Sequence, residues 1–275
     1  MNPSRVAILQ FPGVNCERET GEALARVGLE PEIVRWTEAP ERLAAFAAYV
    51  LPGGWSYQDR VRAGALAAKH PLVAALAAAA ADGKPVLGIC NGAQVLVEAG
   101  LVPGDGAVEL ALARNHMNGR TGYYVRWVTL RSEASPCVFT RHLEPGTLLP
   151  LPIAHGEGRF VARAAGRMAA LVRAGQVPLR YATAAGDPAP RYPDNPNGAQ
   201  SAAAAVCNAR GNVLALMPHP ERAQHVGALP PGVGGVWGAA RDRALLDATG
   251  AAADAPGPGV ALFEGLARHL AEVSV

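Results

Sequence analysis

Lys84-Pro85-Val86-Leu87-Gly88-Ile89-Cys90-Asn91-Gly92-Ala93-Gln94 decides the fold of this 275-residue chain. Val86 to Ile89 is a short apolar run, the mark of a buried strand. Ala93 to Glu98 continues with helical character. Cys90 stands between them, framed by Gly88 and Gly92. This is the cysteine form of the G-x-S-x-G elbow, in which a tight strand-to-helix turn exposes a nucleophile. The glycines let strand and helix approach without a Cβ in the way. A helix beginning at the cysteine turns unpaired N–H groups and its positive dipole end toward the sulfur, which favours the thiolate. A buried cysteine closing a core strand is the plainer alternative, and the double-glycine frame argues against it.

Outward toward the N-terminus, the pattern alternates. Val6 to Leu9 reads as a strand, Glu17 to Val27 as a helix stopped by Gly28, and Glu32 to Trp36 as a strand. A short helix near Glu41 to Phe46, a strand at Tyr49 to Leu51 and a helix over Pro71 to Ala81 lead into the elbow. This order predicts an α/β fold, a doubly wound, mostly parallel sheet with helices on both faces. Ligands in such sheets bind beyond the carboxyl ends of the strands. The loops at Phe11, Pro52 and Cys90 all lie at that edge.

Toward the C-terminus the character changes. Tyr123 to Leu130, Thr147 to Ala154, Val177 to Tyr181 and Ala202 to Cys207 read as strands added to the same sheet, and Gly186 to Gln200 as a surface loop. Val213 to Met217 is a further buried strand, ending at Pro218-His219-Pro220-Glu221-Arg222. Gly227 to Gly259 is rich in Gly, Pro and Ala, with a helix around Ala239 to Leu246, and Leu262 to Val273 closes as an amphipathic helix. No repeat and no linker divides the chain, so one domain over residues 1–275 is expected, with an insertion near 227–259.

Composition excludes several classes. The net charge is +2 and no dense Lys/Arg cluster exists, so neither nucleic acid nor an anionic membrane is indicated as a partner. No apolar run is long enough to span a bilayer, and Met1 to Arg5 lacks a signal-peptide layout. The four cysteines, Cys16, Cys90, Cys137 and Cys207, form no CxxC pair, so no metal site and no disulfide framework is expected. A reducing, cytoplasmic setting suits a free thiol nucleophile.

A thiolate nucleophile needs a proton-transfer partner that is itself oriented. In an extended stretch residues i and i+2 point the same way, so Glu221 can hold His219. Cys90, His219 and Glu221 then form a cysteine version of the triad. The Asn91 amide, with Gly53 or Gly54, can supply oxyanion donors. Gln94, one helical turn after Cys90, faces substrate or braces the helix. His155-Gly156-Glu157 is a second His-x-Glu, ranked below His219 because His219 ends a strongly apolar strand. Cys16 has no elbow and no histidine near it in sequence, and reads as structural.

The motifs Pro52-Gly53-Gly54, Gly88-Ile89-Cys90-Asn91-Gly92-Ala93-Gln94 and Pro218-His219-Pro220-Glu221 resemble those of the class I, triad-type glutamine amidotransferases. Further stretches are similar to the glutaminase subunits of phosphoribosylformylglycinamidine synthases: Leu9 to Cys16, Leu51 to Asp59, Arg62 to Ala65, Pro152 to Arg159, Asn195 to Gly198 and Met217 to Ala223. The resemblance implies a flavodoxin-like core and hydrolysis of L-glutamine to glutamate and ammonia. Cys90 would form a glutamyl thioester, His219 would move protons and Glu221 would orient His219. It implies ammonia channelling to a large synthetase subunit that converts formylglycinamide ribonucleotide to formylglycinamidine ribonucleotide in purine biosynthesis. A small assembly subunit would join the complex. ATP and magnesium would sit on the synthetase, with no cofactor in this chain, which has no Walker-type loop. His155, Glu157 and Arg159 read as interface or site-support residues. The chain departs from the family pattern at Val14, Gln58, Val125 and Ala199. An amidotransferase subunit for another acceptor and a non-catalytic glutamine-binding regulatory subunit are the competing readings. The intact Cys90, His219 and Glu221 weigh against the latter.

Overall fold

The computed structural model describes residues 4–104, 107–247 and 249–273. The sequence reading of Met1 to Pro3 therefore lies outside the described residues. In chain order, β1 (Arg5–Gln10), α1 (Glu17–Arg26), β2 (Glu30–Arg35), β3 (Ala48–Leu51), α2 (Pro71–Ala81), β4 (Val86–Ile89) and α3 (Asn91–Glu98) build the first half. The second half contains β5 (Leu110–Arg114), β6 (Tyr124–Ser132), β7 (Leu148–His155), β8 (Glu157–Ala162), α4 (Arg167–Arg173), β9 (Leu179–Ala182), β10 (Ala203–Cys207) and β11 (Val213–Leu216). The helices α5 (Gly235–Leu245) and α6 (Val260–Val273) follow.

Nine strands form one sheet in the order β2-β1-β3-β4-β11-β10-β9-β6-β7. The run from β2 to β11 is parallel. Its order is the flavodoxin-like 2-1-3-4-5 pattern of a doubly wound sheet. The remaining pairings are antiparallel. The expected strands of the second half thus extend the sheet, and two strands outside that expectation, β5 and β8, pair as a separate antiparallel ribbon.

β4 is buried at every position because it lies between β3 and β11. That explains its unbroken apolar reading, since a strand covered on both faces has no polar side to show. Helix α2 begins with Pro71 at its first position, and the His70 side chain accepts from the Leu72 N–H. It buries Leu72, Val73, Leu76 and Ala80. The closing helix α6 buries Val260, Leu262, Phe263, Leu266 and Leu270.

Register sets the site. Gly88 lies beside Leu51 and Ala215, and Ile89 beside Leu216. Gly53, Cys90 and His219 therefore leave the same edge, just past the ends of three adjacent strands. The loop after β1 reaches that edge too, with the Asn15 and Cys16 N–H groups donating to the Gly53 carbonyl.

The 227–259 segment is anchored along its described residues. Val226 N–H donates to the Ala255 carbonyl, Gly257 N–H to the Gln224 carbonyl, and the Trp237 indole to the Leu148 carbonyl on β7. With β6 and β7 it encloses a mostly apolar cavity of about 880 Å³. No helix among the described residues is long and apolar enough to cross a membrane.

Candidate active site

The turn after β4 has the strained geometry its glycines foretell. Cys90 has φ 51° and ψ −104°, outside the usual regions for an L-residue. Gly92 is indispensable there, since a Cβ at that position would lie 1.9 Å from the Leu51 carbonyl oxygen. A Cβ on Gly88 would lie 2.6 Å from the Gly92 oxygen. Helix α3 starts at Asn91, so that residue's N–H has no acceptor inside the helix. The Cys90 thiol is buried and points at the Ala154 carbonyl, 3.6 Å away.

His219 and Glu221 follow β11. Nδ1 of the histidine lies 2.5 Å from Glu221 Oε1, and both residues are buried. Glu221 itself is held by the turn, with the Gln224 amide donating to its carbonyl. The other ring nitrogen, Nε2, has no partner among the described residues. Burial alone would depress the His219 pKa. The Glu221 carboxylate, then the Cys90 charge, overcome burial and hold it well above the ordinary value. A thiol, an imidazole and an orienting carboxylate thus meet at the strand ends, and this group can exchange a proton between sulfur and nitrogen.

Gly53 packs against the histidine, where a Cβ would fall 2.7 Å from Cε1. Gly54 has φ 147°, and a Cβ there would press on the backbone of Gly13 to Asn15. Asn91 and Gln94 form the floor of the site. Asn91 Oδ1 accepts from Ser56 N–H, and its Nδ2 donates to Gln94 Oε1 at 2.9 Å and to Asp59 Oδ1 at 3.3 Å. Gln94 Nε2 donates to the Glu157 carbonyl at 2.7 Å. Both amides therefore brace the walls, and Gln94 keeps one N–H for other use. A cavity of about 280 Å³ opens beside Cys90, lined also by Gly54, Asp59, Gln94, His155 and Glu157. Trp55 and Tyr123 stack at its mouth with centroids 6.1 Å apart.

The second His-x-Glu is not a pair. His155 Nδ1 bonds Asn115 Oδ1 at 3.1 Å, whereas Glu157 lies 3.8 Å from Arg114. Burial, then the nearby His219 charge, push the His155 pKa down to about 3. Asn197 supports the same turn by donating to the Gly158 carbonyl. Asn195-Pro196-Asn197-Gly198 is thus a brace for His155-Gly156-Glu157-Gly158, and Arg159 donates to the Arg114 carbonyl.

Sequence reasoning missed two residues. Cys16, read as structural, lies beside His219, and its sulfur accepts from Arg222 at 3.1 Å. No histidine lies near Cys16 in sequence, but the loop after β1 folds onto the β3 edge and brings it to His219. Cys16, His219 and Glu221 offer donor atoms within 4.8 Å of one another, of types that zinc accepts. Cys16 Sγ, His219 Nδ1 and Glu221 Oε1 are each already hydrogen-bonded within the protein. Asp59 is the second: its stretch carries the family resemblance, but the sequence assigns Asp59 itself no place in the site, where it lines the cavity beside Cys90.

Comparison with known proteins follows the same lines. Residues 3–232 match the family model described as a CobB/CobQ-like glutamine amidotransferase domain. The subunit PurQ of phosphoribosylformylglycinamidine synthase from Methanothrix thermoacetophila is 46% identical over 233 residues, covering 82% of this chain and 89% of that protein. The corresponding subunit from Thermomicrobium roseum is 47% identical over 221 residues, covering 80% and 87%. Among solved structures, PurLQS from Thermotoga maritima superposes with a TM-score of 0.71 at 31% identity, over 98% of this chain and 100% of that one. A second glutamine amidotransferase from Thermotoga maritima, 14% identical with a TM-score of 0.51, shares the fold.

Proposed function

Because the chain belongs to the CobB/CobQ-like glutamine amidotransferases, in the branch of the PurQ subunits of phosphoribosylformylglycinamidine synthase, we propose that Cys90, His219 and Glu221 are the triad with which it hydrolyses L-glutamine. The observation that carries this is the buried 2.5 Å His219–Glu221 contact beside a cysteine held in an elbow at φ 51°.

Cys90 Sγ attacks the carboxamide carbon, and the C–N bond breaks to leave a glutamyl thioester. His219 Nε2 delivers a proton to the departing ammonia, then takes one from water as that water attacks the thioester. Glutamate leaves and the thiol is restored. Glu221 fixes the ring through Nδ1 and balances the charge it carries. The N–H groups of Asn91 and Gly53 or Gly54 face the developing oxyanion, and Gln94 lies along the substrate.

The ammonia serves a synthetase partner, which forms formylglycinamidine ribonucleotide during purine biosynthesis. ATP and magnesium act on that partner, and a small assembly subunit completes the complex in the cytoplasm. The glutaminase occupies the whole chain as one domain, with 227–259 as an insertion beyond the catalytic unit.

The test separates the two nitrogen sources. In the assembled complex, Cys90→Ala should abolish glutamine-dependent synthesis while added ammonium salt still supports it. Equal loss with both donors would sink this division of labour.

A further inference from the structure

The cavity beside Cys90 carries a carboxylate that no cation neutralises among the described residues. Asp59 lines it, yet among the described residues Asp59 makes no ion pair, and its one side-chain partner is the Asn91 amide at 3.3 Å. The cations of the same wall face other carboxylates, Arg62 that of Glu98 and Arg114 that of Glu157. Burial, then the Glu157 charge, push the Asp59 carboxyl up to about 6. A half-buried carboxylate in this position is unfavourable until a cation joins it.

The backbone is bent to place it there. Tyr57, Gln58, Asp59 and Val61 have φ of 54°, 61°, 52° and 72°, all in the left-handed region that side chains disfavour. The loop is pinned by Tyr57 N–H donating to Pro12 O at 2.7 Å, Gln58 N–H to Trp55 O at 2.8 Å and Ser56 N–H to Asn91 Oδ1. Strain over-determined in this way concentrates at ligand clamps.

A second acceptor lies in the same wall. The Asn115 oxygen already accepts from Gly158 N–H, and its amide donates to the Gly122 and His155 carbonyls, so His155 Nδ1 is the donor in their contact. The ring is neutral, which leaves Nε2 a lone-pair acceptor. His155 is 2% exposed, and Nε2 has no partner among the described residues. Among the described residues the wall therefore presents a carboxylate without a cation and a ring nitrogen without a partner. Glutamine brings two nitrogen donors, a carboxamide and an α-ammonium.

We propose that Asp59 binds the α-ammonium of glutamine and thereby restricts this site to α-amino acids. The proposal rests on the glutaminase reading above. It makes Asp59 a binding residue, whose effect belongs in KM and in substrate choice more than in kcat.

The assay compares L-glutamine with glutaramate, the same γ-carboxamide without the α-amino group, in the assembled complex. The wild type should prefer glutamine. Asp59→Asn should lower kcat/KM for glutamine about 10- to 100-fold, the scale of one charge-assisted contact, chiefly through KM. It should leave kcat/KM for glutaramate within about twofold, because that substrate never made the contact. Asp59→Glu keeps the charge and should keep part of the preference. An unchanged KM for glutamine in D59N, or equal losses on both substrates, overturns the proposal while leaving the glutaminase intact. A wild-type complex that hydrolyses neither amide overturns the reading beneath it. Thermal unfolding of D59N at or above the wild-type temperature assigns the kinetic change to binding.

Discussion

Acid should destabilise this chain through His155, and the size of the effect follows from its surroundings. The ring is 2% exposed and packed on Gly158, where a Cβ would fall 2.2 Å from Cε1. Nδ1 is held by Asn115 at 3.1 Å. Burial first, then the His219 charge, bring its pKa to about 3 in the fold. In the unfolded chain a histidine titrates near ~6.5. Between those values the unfolded state binds the extra proton, so stability is complete above pH ~6.5 and falls as the pH drops toward 3. The whole gap corresponds to about 5 kcal/mol at ~1.4 kcal/mol per pH unit. Between pH 7 and pH 5 the linkage relation gives a loss of ~2 kcal/mol, since protonation of the unfolded chain is slight at the first and nearly complete at the second. Urea unfolding of the wild type and His155→Gln at pH 7, 6 and 5 isolates this, because every other titrating group is common to both. The variant should start less stable and lose ~2 kcal/mol less over that range. Parallel pH dependences would refute the neutral, buried assignment.

Two further outcomes test the geometry of the elbow and its relay. Glu221→Gln should lower kcat for glutamine hydrolysis on the order of 10³-fold or more, the scale for an orienting carboxylate in a triad, with KM little changed. A drop under about tenfold in steady-state kinetics would remove Glu221 from that part. Gly92→Ala should cost at least ~3 kcal/mol in urea unfolding, because its Cβ meets backbone at 1.9 Å and not a side chain that can turn away. A near-wild-type midpoint would mean that the elbow yields more easily than its packing indicates.

The parallel half of the sheet was legible because its signals are local. Val86 to Ile89 is an unbroken apolar run, and Pro71 to Ala81 carries both its start and its stop, so β4 and α2 fall where the sequence puts them. The elbow was legible for the same reason: glycine spacing encodes a turn that only glycine tolerates. β5 and α4 were not read as elements. Leu110–Arg114 is alternating leucine and alanine with little β-branching, and Arg167–Arg173 is under two turns long. β8 was hidden behind its glycines, although its residues alternate buried and partly exposed along the strand. The places of Cys16 and Asp59 in the site were hidden for a different reason. Cys16 and Asp59 reach the site by loop closure after β1 and β3, and no periodicity reports where a loop returns.

Two thiols beside one imidazole raise the question of which one it serves, and the ring's two nitrogens answer it. A Cβ on Gly53 would lie 3.2 Å from Cys16 Sγ and 2.7 and 3.3 Å from His219 Cε1 and Nδ1. Cys16 therefore packs with the ring against Gly53, while Glu221 holds Nδ1 at 2.5 Å. Its sulfur is further engaged by Arg222 and by Asn15 Oδ1 at 3.2 Å, and its backbone has a negative φ of −109°, unlike that of Cys90. Among the described residues Nε2 is the nitrogen left without a partner, and proton transfer to a nucleophile requires a free one. Cys90 has the strained turn, the helix N-terminus and the cavity, so closeness to histidine alone does not select the nucleophile. The selection lies in the backbone at residue 90, and Cys16 remains a neighbour of the relay.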